Sequence, residues 1–188
     1  IYTHNKNVGV GINMIYARDL VFDVTGADAA FIIEDDLVMN PYYLRFCENL
    51  MSWADSNYDN VGVVQGWNEN LTTLDDNVVE YTHRHWWGYL MKRQCWSDIK
   101  IACMSTYVKY LTSLESYQQR YAPWIDGWAK MLLLTQRVPD RRKPFPVNKD
   151  EFNRLVNANF VYSSQDSITA LGMFLCNYAK IAPYNSRA

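Results

Sequence analysis

Five apolar residues in a row, Ala29 to Ile33, run straight into three carboxylates, Glu34, Asp35 and Asp36. No polar residue interrupts the run, and its length suits a strand better than a helix, so it predicts a short strand buried on both faces. Acids at the end of such a strand repel one another and resist losing their water, which makes them costly unless a cation neutralises them. Hard oxygen donors on adjacent residues suit Mg or Mn, ions commonly held by one or two carboxylates and completed by substrate phosphates. An acidic turn after a core strand is the plainer alternative.

The flanking sequence places the triplet in an α/β unit. Gly9 and Gly11 suit a tight path before a helix, whose apolar positions Ile15, Tyr16, Leu20 and Val24 lead to a stop at Gly26. After the acids, Asn40 is a cap with Pro41 in the first turn of a second helix, and Tyr43, Phe46, Cys47, Leu50 and Ala54 line one of its faces. Val61 to Gln65 is the next expected strand. The triplet therefore lies near the carboxyl edge of a sheet, where α/β folds place ligands.

The remaining chain is expected to alternate surface loop and helix. Residues 66–81, with Asn68, Asn70, Asp75, Asp76 and Asn77, are expected to form a surface excursion. The aromatic stretch His83 to Tyr89 leads into an expected helix over Leu90 to Trp96, and Tyr107, Tyr110, Leu111, Leu114 and Tyr117 mark another. Helical spacing resumes from Trp124 through Met131 and Leu132, until Pro139, Pro144 and Pro146 break it. Phe160 to Tyr162 is a short expected strand, followed by a helix capped near Ser163, Ser164 or Ser167. No repeat or linker divides the chain, so residues 1–188 are expected to form one domain.

Composition narrows the function classes. At 49% hydrophobic and 15% aromatic, 188 residues can bury a sizeable core. The net charge of -2 and scattered basic residues exclude a general nucleic-acid surface. The cluster Arg137, Arg141, Arg142 and Lys143 is either a local phosphate site or a solvated loop. Cys47, Cys95, Cys103 and Cys176 lack metal-ligand spacing and are open to disulfide or thiol states. His83 and His85 sit two apart with no third ligand near them in sequence. No membrane segment is apparent. Asn70-Leu71-Thr72 is a glycosylation sequon, and the compartment stays open between cytoplasm and Golgi lumen.

The order Gly-Val-Gly, helix, Phe31-Ile32-Ile33-Glu34-Asp35-Asp36, Asn40-Pro41 and aromatic helix resembles the metal-binding half of a GT-A glycosyltransferase of the N-acetylglucosaminyltransferase I type. The stretch Trp87-Gly88-Tyr89 to Trp96 is also similar to a Trp-Gly-aromatic segment of related bacterial transferases. The likeness runs in order over roughly residues 5–175 and is strong at 29–46, 84–97 and 121–132. It implies a mixed sheet flanked by helices. GT-A domains open with a base- and ribose-binding strand and helix some tens of residues before the acids, and only 33 residues precede Glu34. That nucleotide-binding unit is expected either to lie outside this chain, which starts at Ile1 without an initiator Met, or to be replaced by another segment.

The resemblance also implies a set of roles. Asp36 would hold Mn or Mg on the diphosphate of a UDP- or GDP-sugar, and Glu34 and Asp35 would hold ribose, sugar hydroxyls or metal-bound water. Arg84 and Trp87 would face the donor, and Trp124 and Trp128 the acceptor. Asp126, between those tryptophans at an expected helix start, is the candidate base that deprotonates an acceptor hydroxyl in an inverting displacement. The same Asp is also a good helix cap. Related enzymes carry a late histidine near the metal. Here the matching stretch reads Ser163-Ser164-Gln165-Asp166, so either Asp166 substitutes as ligand or water does. Two alternatives remain open: another metal-dependent phosphoryl enzyme, such as a nucleotidyltransferase or phosphohydrolase, or a non-catalytic carbohydrate-binding domain.

Overall fold

Helix α1, Gly9–Asp19, continues into a π-helical turn over Leu20–Val24 before Gly26, at φ +71°, ends it. Ile12, Ile15, Arg18 and Phe22 face inward, at spacings of three and four residues, while Tyr16 and Val24 are 43% and 72% exposed. The sequence pattern finds the helix but places Tyr16 and Val24 inward, where the buried stripe instead runs through Ile15, Arg18 and Phe22. The structure is a computed structural model and describes residues 3–67, 79–81, 86–113, 123–135, 137, 139–146 and 164–183. For residues 79–81, 113, 123–126, 129 and 130 it describes the backbone alone.

Strands β1 (Ala29–Ile32), β2 (Val61–Gln65), β3 (Val79–Tyr81), β4 (Tyr89–Lys92) and β5 (Ala179–Pro183) form one mixed sheet in the order β1-β4-β2-β5-β3. β1 and β2 each run antiparallel to β4, and β5 runs parallel to β2. The carboxyl ends of β1, β2 and β5 therefore share one edge of the sheet with the start of β4. Three expectations need correction. β1 pairs only with β4 among the described strands, so it lies at the sheet margin, with Ala30 and Ile32 buried and Ala29 exposed. Tyr89–Lys92 is strand, not helix, because β1 and β2 supply hydrogen-bond partners on both of its sides, and tertiary pairing overrides weak local preference. Val79–Tyr81, expected in a loop, pairs with β5.

Helix α2 (Tyr43–Asn57) covers one sheet face with Tyr43, Cys47, Leu50, Met51 and Ala54. Asn40 does not cap it and Pro41 lies outside its first turn, contrary to expectation: the helix starts at Tyr43, and Asn40 instead closes the preceding turn, its Oδ1 accepting from Tyr42 N–H at 2.9 Å and its carbonyl from Tyr43 N–H at 2.9 Å. The other face carries α1, α3 (Arg93–Ile99), a second π-helical turn (Lys100–Met104), α4 (Ser105–Ser113), α5 (Pro123–Thr135) and α6 (Gln165–Leu175). Ser164 caps α6 by accepting from Ser167 N–H at 3.2 Å, as the serine-rich sequence predicts. All four cysteines are buried free thiols. Among the described residues, no helix is long and apolar enough to cross a membrane.

Candidate functional site

The acids follow β1 directly, at the sheet edge where β2 also ends. Strand register puts Ile32 opposite Tyr89, and Gln65 opposite the same Tyr89. Beyond those pairs the chains continue into Glu34, Trp87 and Trp67, and the rings of Trp67 and Trp87 meet. Glu34 is half-buried, whereas Asp35 and Asp36 are exposed. Burial pushes the Glu34 carboxyl up, and the charges of Asp166, Asp36 and Asp35 push it further. Asp166 on α6 thus reaches the triplet electrostatically across more than a hundred residues of sequence.

Beneath the acids lies a buried polar network. Arg18, fully buried, donates from Nε to the Tyr89 hydroxyl at 3.1 Å, from Nη1 to Thr169 Oγ1 at 3.1 Å and from Nη2 to Gln165 Oε1 at 3.1 Å. Its guanidinium also stands 5.3 Å from the Trp96 ring centre. Lys180 on β5, equally buried, donates to Gln65 Oε1 at 3.1 Å and lies 4.3 Å from the Trp86 ring centre. Burial holds the Lys180 ammonium well below its ordinary range, against the opposing pull of Asp166.

Asp166 completes the arrangement. Burial raises its carboxyl, while Arg18, the Gln165 side chain and Lys180 oppose the rise. Its Oδ1 is buried and has no hydrogen-bond partner among the described residues. An acceptor oxygen left open in this way is costly unless a donor or cation occupies it. Hard oxygens at Glu34, Asp35, Asp36 and Asp166 fit Mg or Mn in kind. Among the described residues, no three His, Cys, Asp or Glu side chains converge as a closed metal cage. The donor set suits an ion whose shell is finished by phosphate oxygens and water.

The other expected site residues are distributed differently. Arg84, His83 and His85 lie outside the described residues, as do Phe160, Val161 and Tyr162. Trp124 and Asp126 fall in the first turns of α5, where the backbone alone is described. Trp128 packs half-buried against the core of the α6 face. Trp87 is 45% exposed beside Trp67, at 4.9 Å between ring centres. Arg141 donates to the Cys176 carbonyl at 2.9 Å and lies 4.6 Å from the Tyr178 ring, ahead of β5 and at the opposite sheet edge from the acids. Its place there corrects the phosphate-site alternative for Arg141.

Sequence inspection misses Arg18, Tyr89, Gln165, Lys180, Gln65 and Trp67. One signal was present for two of them. Arg18 occupies an inward phase of an apolar helix, and Lys180 sits inside the apolar stretch Tyr178 to Ile181. A charge in a core position is uncommon unless it is paired or used. No protein-family model and no curated protein sequence gives a match to this chain.

Proposed function

We propose that the chain is a metal-dependent glycosyltransferase domain of GT-A type, transferring a sugar from a nucleoside-diphosphate donor to an acceptor hydroxyl. The observation that supports this reading is that the charges of Asp166, Asp36 and Asp35 all act on Glu34, and that Asp166, whose Oδ1 has no hydrogen-bond partner among the described residues, also feels the buried side chains of Arg18 and Lys180. A hard cation there would supply charge neutralisation for a leaving nucleoside diphosphate. Asp36 and Asp166 would hold it, and Glu34 and Asp35 would hold ribose, sugar hydroxyls or metal-bound water.

In the proposed reaction the acceptor oxygen bonds to the anomeric carbon as the bond from that carbon to the phosphate oxygen breaks. The nucleoside diphosphate leaves with the electron pair, and the hydroxyl proton passes to Asp126. Arg18 and Lys180 serve the site from below: Arg18 fixes Tyr89 and Gln165, and Lys180 balances Asp166.

Calorimetric titration of UDP and then GDP, with Mn, tests the reading. Binding is expected for one of them, abolished by EDTA and weakened at least about tenfold in Asp36→Ala, in line with losing a metal ligand. Absence of binding to the folded protein under every condition would remove the transferase reading. Saccharide binding indifferent to metal and nucleotide would instead establish the carbohydrate-binding alternative.

A further inference from the structure

Helix α5 is apolar on two sides at once. Trp128, Leu132 and Leu133 pack half-buried against the core of the α6 face. Gly127, Met131 and Leu134 recur at helical spacing on the outward side. There Met131 is 53% and Leu134 87% exposed, and a Cβ on Gly127 would meet nothing within 4 Å. A helix that is apolar all round is normally covered all round.

The chain leaving α5 carries the charge. Arg137, Arg142 and Lys143 are exposed, and the one acid between Arg137 and Lys143 is Asp140. Contacts along its length pin this loop. The Pro139 carbonyl accepts from Asn177 Nδ2 at 2.8 Å, Arg142 N–H donates to Asp59 Oδ2 at 2.8 Å, and the Lys143 carbonyl accepts from Asp59 N–H at 3.1 Å. Arg141 turns inward to the Cys176 carbonyl, while the other three cations stay outside. Pro139 lies four residues beyond Thr135, the last of α5, a span of at most about 14 Å, so the exposed end of the helix and the basic loop adjoin.

The chemistry of the two parts selects what covers them. Aliphatic side chains beside guanidinium and ammonium groups match the boundary of a bilayer, where acyl chains take the former and headgroup phosphates the latter. A nucleic acid would engage the cations and leave Leu134 in water. A second copy of the chain would offer the same cation-rich patch in return. The molecule as a whole carries a net charge of -2, so attraction to an anionic surface has to come from this patch and not from the overall field.

We propose that Met131 and Leu134 of α5, with Arg137, Arg142 and Lys143, form a docking surface for an anionic lipid bilayer, on which the protein lies without crossing it. The loop is at the opposite sheet edge from the acids, and the proposal does not rest on the transferase reading.

The test is co-sedimentation of the whole chain with sucrose-loaded vesicles, either of phosphatidylcholine alone or of phosphatidylcholine mixed with phosphatidylglycerol. Partition onto the mixed vesicles is expected to be at least about tenfold stronger, and to lose most of that preference as salt shortens the screening length from ~10 Å at 0.1 M to ~3 Å at 1 M. Arg142→Gln with Lys143→Gln should weaken it about fivefold for each charge removed, and Leu134→Ser about tenfold. Val24→Ser, at an apolar position 72% exposed elsewhere on the surface, should partition as wild type does. All these positions are exposed, so far-ultraviolet spectra and melting temperatures should stay unchanged.

No partition onto mixed vesicles, equal partition onto both compositions, or partition that Leu134→Ser and the double charge variant leave intact would each overturn the proposal. So would a dimer in size-exclusion chromatography that Leu134→Ser returns to a monomer, since the face would then belong to a second copy. The vesicle readout needs neither nucleotide nor metal, so its failure is distinct from failure of the transferase reading.

Discussion

Tyr43, Cys47, Leu50 and Met51 of α2 pack against Val61, Val64, Leu90 and Ile181 of the sheet, whereas on the side of α1 and α6 the same strands meet Arg18, Gln165 and Thr169 and contribute Gln65 and Lys180. Asn60, buried beside the α2 core, is closed upon the backbone of Phe145, donating to its carbonyl at 3.2 Å and accepting from its N–H at 2.6 Å. On the other face the buried polar groups include the charged Arg18 and Lys180, and Asp166 Oδ1 has no hydrogen-bond partner among the described residues. The α2 face is thus arranged for stability. The α6 face spends stability on a polar seam that rises toward the acids, the pattern expected where a fold holds a working site.

Removing the centre of that seam should produce the largest effect. Arg18→Met strands Tyr89, Thr169 and Gln165 acceptors that are satisfied by the guanidinium. Breaking a buried charged network of this kind costs about 3–5 kcal/mol, to be measured by urea unfolding. Leu50→Ala on the α2 face should cost about 2–4 kcal/mol through its cavity. The two variants differ in a second respect: Leu50→Ala keeps nucleotide affinity per folded molecule, and Arg18→Met loses it. Equal retention in both would end the functional distinction between the faces.

Lys180→Met sharpens the same contrast in the opposite direction. Burial disfavours the Lys180 charge, so an apolar side chain of similar length should leave stability unchanged or raise it by up to about 2 kcal/mol. Nucleotide affinity in the same variant should fall about tenfold, because an anion at the acidic edge loses a nearby cation. A variant that is less stable yet binds as well as wild type would make Lys180 a structural residue.

The parts of the molecule legible in sequence are those carried by local pattern. The strand before the acids, the spacing of Cys47, Leu50 and Ala54, the β2 run and the Ser164 cap all rest on neighbours within a turn or two. What stayed hidden depends on distance. β4 looks helical until β1 and β2 flank it, and Arg18 is satisfied in the buried stripe of α1 only by Tyr89, Thr169 and Gln165 from distant elements. The acids announce themselves, but Asp166 becomes part of their field only through the packing of α6 on the sheet. Trp67 carried no signal, since its partner Trp87 is twenty residues away and the Tyr43 bridge between their turns is a purely tertiary contact.

The smallest effect is also the one that most directly reports the open face. Burial and neighbouring charge raise Glu34 above its ordinary 4.5, and burial raises Asp166 above its ordinary 3.8. The folded chain therefore holds these protons more tightly than the unfolded chain does. Stability from both groups is full below the unfolded values and is lost as pH rises through the raised folded ones. Without added metal, the melting temperature should carry a downward contribution from these groups as pH rises above about 4, the ordinary carboxylate range. Glu34→Gln or Asp166→Asn should remove part of that slope, by about 1 kcal/mol or less for sites still in reach of water. Saturating Mn should reverse the slope in the wild type, since a cation that binds only the ionised acids stabilises the fold more as protons leave. A pH profile that Mn does not move, and that neither substitution flattens, would mean that the acids of this edge repel one another without any cation to resolve it.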